Sequence, residues 1–395
     1  MGGGGMRVLI FAITGSTILG FRRDFIKLLL EKGHKVDVAC PEDQKCLSEK
    51  LSLLGVGFIP LRLDRTSINP FGDLRTLFQM IGIISSSRPD VVFSFMSKAI
   101  IWGSIAARIC SVKNVYAMIE GLGYSFSGKS IKRRILSAVI SMLYKVALGG
   151  VTCVYVLNPD DGEYLCRHGL ASPDKIRRVY GCGLDTDFYA YVPVSDSSKI
   201  SFLYVGRLLT DKGIRIFIEA ANALGKKYPQ SKFTIVGGYD KTPASISERE
   251  IEELKNNPLI EYAGTVTDVR PFLAGASVVV LPSYYREGLP RSLSEGMSTG
   301  RPVIATDSVG ARETLFKRNE SDSLDGFGIL ECRNGYLIEP KNVGALILAM
   351  EEFILHPEKI EPMGMESRMF AVELMDSKKI NGKIVSDMED FENNA

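Results

Sequence analysis

Residues 281–306 read LPSYYREGLPRSLSEGMSTGRPVIAT, directly behind three valines at 278–280. The valine run is short, β-branched and apolar, the pattern of a strand buried on both faces. Pro282 and Ser283 end it, and the loop that follows carries Glu287 just before Gly288. Pro290 suits the first position of a helix, where its missing N–H would be unpaired anyway. That helix carries Glu295 on its second turn, Gly300 and Pro302 stop it, and a new strand begins at 303–305. Two carboxylates separated by seven residues therefore lie one in a loop and one on the helix behind it. The N–H groups of Gly288, Leu289 and Arg291 gather at the helix start, where an anion is favoured. Two such glutamates can be no more than solvated surface charges. Here they bracket a Gly-Leu-Pro turn at the carboxyl end of a buried strand, where open α/β sheets bind ligands.

Upstream of this stretch a strand over 200–205 leads into Gly206, Arg207 and Lys212, and a helix over 214–224 follows. A strand–turn–helix with these cations at the turn suits a diphosphate, Arg by its planar fork and Lys as a mobile point charge. A solvated helix start is the other reading. A strand over 232–236 ends in Gly237–Gly238, which permit close backbone approach. Strands are expected over 260–262, 264–269, 278–281 and 335–338, a loop insertion at 322–326, and helices over 343–355 and 376–388. The first half runs the same way. Strands 6–12 and 35–39 flank a helix over 21–32, a βαβ unit that implies a parallel sheet. Strands 57–61, 91–95, 115–119, 153–157 and 176–180 follow, with helices over 72–86 and 100–110. The Thr14-Gly15-Ser16-Thr17 turn after the first strand lacks G-x-G-x-x-G. It is either a plain tight turn or a place where a substrate meets the backbone. Glu120, at the carboxyl end of strand 115–119 and followed by Gly121 and Gly123, stands where a site would be, or serves as a loop charge. Residues 192–198 read as a linker. The expected fold is α/β, two doubly wound parallel-sheet domains with an interdomain cleft: residues 6–192, 199–370, and a final stretch 371–395 that, by the family resemblance given below, crosses back to the first.

The chain has 395 residues, enough for two full cores, and at 45% hydrophobic and 24% charged it has a globular composition. The seven cysteines are scattered, without metal-type spacing, and the three histidines stand far apart, so no metal site is expected. The glycine run before Met6 reads as a remnant ahead of the natural start. Net charge is only +2 but uneven: residues 1–190 hold 24 Lys/Arg against 16 Asp/Glu, a surplus of eight. Residues 121–159 carry five cations (Lys129, Lys132, Arg133, Arg134, Lys145) and no acid. Ile131, Ile135, Val139, Met142 and Val146 recur there at helical spacing. A basic amphipathic helix over 128–148 can lie on an anionic membrane, each cation near lipid contributing on the order of 1 kcal/mol. The alternative is a core helix with a solvated basic edge. It is short of the roughly 20 apolar residues that a span needs.

The Arg207…Lys212 pair, Gly237–Gly238, the Glu287/Glu295 spacing and the run TVTDVRPFLAGASVVVLPSYYREGLPRSLSEGMSTGRPVIAT together resemble the family-four retaining glycosyltransferases of GT-B fold. The first half, through RTSINPF, Lys98 in SFMSKAIIWGSIAA, EGLG at 120–123 and VLNPDDGEYL, is similar to bacterial members that extend undecaprenyl-diphosphate-linked sugars. The resemblance implies a hexose or N-acetylhexosamine moved from a UDP-sugar to a polyprenyl-diphosphate-linked saccharide, for surface glycan or protein glycosylation. The enzyme would work in the cytoplasm, peripheral on the inner face of the cell membrane through helix 128–148, with no nucleic-acid partner. Arg207 and Lys212 would stabilise the departing diphosphate, Glu295 would hold the ribose hydroxyls, and Glu287 with the loop N–H groups of Gly288, Leu289 and Arg291 beside Pro290 would grip the sugar. The base would rest near Val266 and Thr267, with Gly15, Gly206 and Gly238 giving close approach. No cofactor or metal is implied, since protein groups meet the phosphate charge, and Asp185-Thr-Asp187 reads as part of a loop. Ser97 stands where close relatives have histidine, which leaves Glu120 to orient or deprotonate the acceptor hydroxyl. Thr17, Arg22, Lys98, Glu120 and Gly121 form the acceptor set; Lys98 would meet the acceptor's phosphate or its sugar, or serve only at the surface. A non-hydrolysing nucleotide-sugar 2-epimerase and a non-catalytic nucleotide-sugar-binding subunit are the rival readings.

Overall fold

The structure is a computed structural model. It describes residues 5–41, 47–64, 69–123, 131–194, 199–240 and 242–393, without the side chains of 16, 131–135 and 391–393. Lys129, residues 65–68 of RTSINPF and 195–198 of the expected linker lie outside the described residues, and so do the side chains of Lys132, Arg133 and Arg134. The chain divides into two compact units, Met1–Gly183 with Ser377–Ala395, and Leu184–Asp376.

In the first unit β1 (Arg7–Phe11), β2 (Lys35–Cys40), β3 (Gly57–Pro60), β4 (Val91–Phe95), β5 (Asn114–Ile119), β6 (Cys153–Val156) and β7 (Ile176–Arg178) form one parallel sheet in the order 3-2-1-4-5-6-7. The central strands are buried at every position, because helices cover both faces. Right-handed crossovers put the helices Pro70–Ser87, Ser97–Ile109 and Ile131–Gly149 on one face, where they share a core with Leu9, Phe11, Val92 and Val115. The second unit repeats the plan with β8 (Ser201–Val205), β9 (Lys232–Val236), β10 (Glu261–Gly264), β11 (Val278–Leu281), β12 (Val303–Thr306), β13 (Ile329–Cys332) and β14 (Gly335–Ile338), in the order 10-9-8-11-12-14-13. Only β13 runs antiparallel, on the edge beside β14.

Several expectations are corrected. The helix expected over 21–32 is two, Gly15–Phe21 and Arg23–Glu31, broken at Arg22. The Thr14–Thr17 turn is thus the start of a helix: extended Thr14 caps it, and buried Ile18 anchors it against the weak propensity of Gly and Ser. No strand covers 264–269; Gly264 at φ 68° ends β10, and a loop runs on to the helix Arg270–Gly275. Pro290 precedes the helix rather than opening it, at ψ 113°, and the helix is Arg291–Ser298.

The unit boundary falls at Gly183/Leu184 instead of 192–198, because the next segment packs within the second unit. Leu184 N–H donates to Met375 O at 2.8 Å, and Val192 N–H to Thr299 O at 3.2 Å. Likewise Ala371–Met375 stays with the second unit, and only Ser377–Asn393 joins the first. That last helix is held by polar groups of β5 and β6. Tyr155 Oη donates to Asp387 Oδ2 at 2.7 Å, Tyr116 Oη to Asp387 O at 3.2 Å, and Lys32 Nζ pairs with Glu389 at 2.6 Å. Replacing Asp387 by Ala leaves Tyr155 without its acceptor and is expected to lower stability by about 1–3 kcal/mol, read as a lower thermal midpoint. An unchanged midpoint would remove this bond from the account of how the helix docks.

Candidate functional site

Each sheet reverses its winding at one place, between β1 and β4 in the first unit and between β8 and β11 in the second. There the helices leave in opposite directions and a crevice opens past the carboxyl ends of the strands. In the second unit β8 runs into Gly206 and Arg207, then a turn at Thr210–Lys212, and the helix Ile214–Lys227 starts at Gly213. Gly213 has φ 76°, and a Cβ on it would sit 2.0 Å from Pro282 O, so only glycine lets this loop lie against the end of β11. The backbone N–H groups of Tyr284 and Tyr285 donate to Asp211 O at 2.9 and 3.1 Å and tie the two loops together.

The joined loops bring the Lys212 ammonium onto the Glu287 carboxylate, whose other oxygen accepts from Ser283 Oγ at 2.6 Å. Ser283 O in turn accepts from the hydroxyls of Thr306 and Ser308, at the end of β12. Beneath lies buried Tyr204, whose Oη donates to Arg207 O at 3.2 Å. Burial pushes its pKa up; the Glu287 charge adds to this and Arg207 opposes it. Arg207 pairs with Asp240 at 3.3 Å, but the two side chains are 52% and 44% exposed, and such a contact is weak. Arg207 can therefore turn to a ligand at little cost.

Glu295 lies one turn into the helix Arg291–Ser298 and is buried. Its Oε1 accepts from Arg291 Nε at 2.8 Å and from Tyr189 Oη at 3.0 Å. Burial raises its pKa, against the pull of Arg291 and Tyr189. Around the rim, β9 ends in Gly237, where a Cβ would meet Gly206 O at 1.8 Å, and Gly238, whose carbonyl accepts from Leu208 N–H at 3.1 Å. Half-buried Val266 and exposed Thr267 follow β10, two strands along from β8. Gly288 and Pro290 are buried and Leu289 half-buried in the loop before the helix. Asp185, first of the D-x-D residues, caps a turn by accepting from the N–H groups of Asp187 and Phe188 at 3.0 and 2.9 Å. Among the described residues no three His, Cys, Asp or Glu side chains are grouped as metal ligands are.

In the first unit Glu120 follows β5, beside Gly121 at φ 122°. It pairs with Arg22, whose guanidinium stacks on Phe95 with Cζ 4.0 Å from the ring centroid. Arg22 was expected among the acceptor contacts, but its side chain is only 3% exposed. Its place is behind Glu120, holding that carboxylate. Cys182 Sγ stands 3.2 Å from Arg22 Nη2 and 3.4 Å from Glu120 Oε1. Lys98 Nζ pairs with Asp73 at 2.8 Å. Met96, at the carboxyl end of β4 just before the helix that carries Lys98, has φ 67° and ψ 150°, a strained pairing for a side-chain-bearing residue. Thr17 Oγ1 donates to Thr14 O at 2.8 Å, a bond back to the residue that precedes its helix, and Gly15 is buried as the first residue of that helix. Ser283, Tyr189 and Cys182 complete these clusters without having been singled out. Ser283 sat in the decisive stretch, four residues before Glu287; nothing local marks the other two. On the helix Ile131–Gly149, Val139, Met142 and Val146 face solvent, while Tyr144, Ala147 and Leu148 are buried. No helix of the described residues is long and apolar enough to cross a membrane.

Glu295 makes a pH prediction. Its carboxyl holds a proton to higher pH in the fold than at the ordinary value of 4.5. Its contribution to stability is therefore full below 4.5 and is lost as pH rises through the folded value. In thermal melts from about pH 4 to 7, Glu295→Gln is expected to lose less stability with rising pH than the wild type. Parallel curves for the two proteins would contradict this.

Residues 7–158 match the family described as Glycosyl transferase 4-like, and residues 199–356 that described as Glycosyl transferases group 1. The chain is similar to the N,N'-diacetylbacillosaminyl-diphospho-undecaprenol alpha-1,3-N-acetylgalactosaminyltransferase of Campylobacter jejuni, 28% identical over 333 residues, 81% of this chain and 84% of that one. It is 26% identical over 337 residues to the UDP-Gal:alpha-D-GlcNAc-diphosphoundecaprenol alpha-1,3-galactosyltransferase of Escherichia coli, covering 82% of this chain and 81% of that one. Its fold matches that of Anabaena HepE, solved with UDP and glucose, at a TM-score of 0.72 and 18% identity over 97% of this chain and 99% of the other. A glycosyltransferase from Rickettsia africae matches at a TM-score of 0.75 and 18% identity, over 99% and 100%. The chain belongs to the family-four glycosyltransferases, built on the GT-B fold.

Proposed function

We propose that this glycosyltransferase moves a hexose or N-acetylhexosamine, with retention, from a UDP-sugar to an undecaprenyl-diphosphate-linked saccharide. The observation that carries the reading is the Lys212–Glu287 contact at the β8/β11 reversal, with Arg207 beside it and two helix starts behind it. Cleaving a sugar–diphosphate bond puts positive charge on the sugar and negative charge on the departing phosphate. Arg207, Lys212 and the start of the helix Ile214–Lys227 are donors for the latter, so protein groups meet this charge without a metal. Glu287 and the N–H groups of Gly288, Leu289 and Arg291 take the sugar, Glu295 the ribose hydroxyls, and the Val266–Thr267 rim the base. Glu120, steadied by Arg22, orients or deprotonates the acceptor hydroxyl. The acceptor class is supported by relatives whose names specify diphospho-undecaprenol-linked sugars. The basic helix Ile131–Gly149, with Lys145 and an exposed apolar stripe, is the contact with the inner membrane surface. The epimerase reading is not favoured, since the matching relatives are named as transferases.

Labelled UDP-hexoses and UDP-N-acetylhexosamines, each with and without a polyprenyl-diphosphate saccharide, test the reading. Transfer that needs the acceptor and gives an α-linkage by NMR supports it; a new UDP-sugar formed without acceptor points to an epimerase, and binding without turnover to a binding subunit. Lys212→Met is expected to lose about 3–4 kcal/mol of transition-state stabilisation, about 10²–10³ in turnover. Glu120→Gln is expected to lose roughly 10² or more. Near wild-type turnover in either variant would remove that residue from the mechanism.

A further inference from the structure

The helix Pro70–Ser87 buries Thr76, Met80, Ile83 and Ile84 against the first sheet. On its opposite side Phe71 (83% exposed), Leu74 and Phe78 (70% exposed) face solvent at i, i+3 and i+7. The helix Ile131–Gly149 repeats this spacing with Val139, Met142 and Val146, also exposed. Between them, packed against both, lies the helix Ser97–Ile109, whose Ile109 is exposed too. Three neighbouring helices on one face of one sheet thus turn apolar side chains outward. Single exposed apolar residues need no explanation, but stripes repeated at helical spacing on two helices of one face do.

The charges on the same helices say what covers it. Among their described side chains, Arg75, Arg108 and Lys145 are exposed, and the single acid of the three helices, Asp73, is already paired by Lys98 at 2.8 Å. A second copy of this face would set one cationic surface against another, which like-charge repulsion opposes. An anionic bilayer supplies both an apolar interior for the stripes and a counter-charge for the rim. We propose that the helix Pro70–Ser87 is a second membrane-inserting element, with Phe71, Leu74 and Phe78 entering the interface of an anionic phospholipid bilayer alongside the helix Ile131–Gly149. The proposal rests on the reading of a lipid-linked acceptor, and it adds to the basic helix a second inserting element with its own apolar residues.

Trp102, the one tryptophan of the chain, is half-buried on the middle helix and serves as the reporter. The full chain is mixed with vesicles of brominated phosphatidylglycerol and phosphatidylethanolamine, or of brominated phosphatidylcholine alone, and followed by Trp102 quenching and flotation. Quenching and flotation with the anionic vesicles, weakened by salt, are expected. The variant Phe71→Ser/Leu74→Ser/Phe78→Ser, with the helix Ile131–Gly149 untouched, is expected to bind roughly tenfold or more weakly. Circular dichroism checks its fold; if it does not fold, the single variant Phe71→Ser, at the most exposed of the three positions, takes its place, with weaker binding expected. Equal binding by a folded variant overturns the proposal. So does absence of quenching, or a dimer that the triple substitution abolishes and vesicles do not displace. Transfer to a short-prenyl, water-soluble diphosphate acceptor is run in parallel. Transfer without vesicle binding defeats the membrane face alone, whereas vesicle binding without transfer defeats the lipid-linked reading.

Discussion

The second unit is organised by an ion pair that few sheets would accept. Lys212 and Glu287 are largely buried, with side chains 18% and 9% exposed, at the place where the winding reverses between β8 and β11. Burying two charges costs solvation, and their attraction repays this only when further hydrogen bonds complete the shell. Ser283 supplies such a bond to the second oxygen of Glu287, and its carbonyl is fixed by two hydroxyls from β12. Removing one partner alone would leave an uncompensated charge. A neutral ligand thus has little means of drawing Lys212 away, whereas a diphosphate brings the replacement charge with it and releases Glu287 to accept hydroxyls. The pair keeps both charges satisfied until the diphosphate of the proposed donor arrives.

Much of the fold was legible because parallel strands are buried on both faces and read as unbroken apolar runs. β9, β11 and β14 fall where their residues put them, and so does the helix Val343–Leu355. Legibility failed where tertiary context overrode local chemistry. Small residues at 14–17 spell a turn, yet burial of Ile18 drew them into a helix. β13 lies on the sheet edge, with polar Glu331 within it, and shows no such run. The site divides the same way. Arg207, Lys212, Glu287 and Glu295 stand out as candidates by their spacing from strand ends. Their supports were not, because nothing local links Tyr189 to Glu295, 106 residues on, or Arg22 to Glu120, 98 residues on.

Charge counts also hide the difference between arginines that face outward and those that build. Arg207 is half exposed, which suits the ligand contact proposed for it. Arg301 has no exposed surface: Nε and Nη2 donate to Leu273 O and Ala274 O at 2.9 Å, and Nη1 to Val192 O at 2.7 Å. Burial pulls its pKa down to about 10. Arg368, its pKa also lowered by burial, gathers the carbonyls of Thr186, Tyr189 and Ser298 within 3.1 Å. Both hold the segment that follows Leu184 against the helix Arg291–Ser298, and this is the segment that delivers Tyr189 to Glu295. Losing either guanidinium would remove several of the bonds to carbonyls that fix this segment.

The two faces of the first sheet follow from the same economy of burial. On one, the helix Ser377–Asn393 lies over the helix Arg23–Glu31 and satisfies hydroxyls from β5 and β6. On the other, three helices pack their inner sides into a complete core and still place aromatic and aliphatic residues outside. Those residues add nothing to that core, and in water they carry the hydration cost of exposed apolar surface. Because they recur at helical spacing on more than one helix, chance exposure is a poor account of them, and the cations around them restrict the covering surface to one of opposite charge.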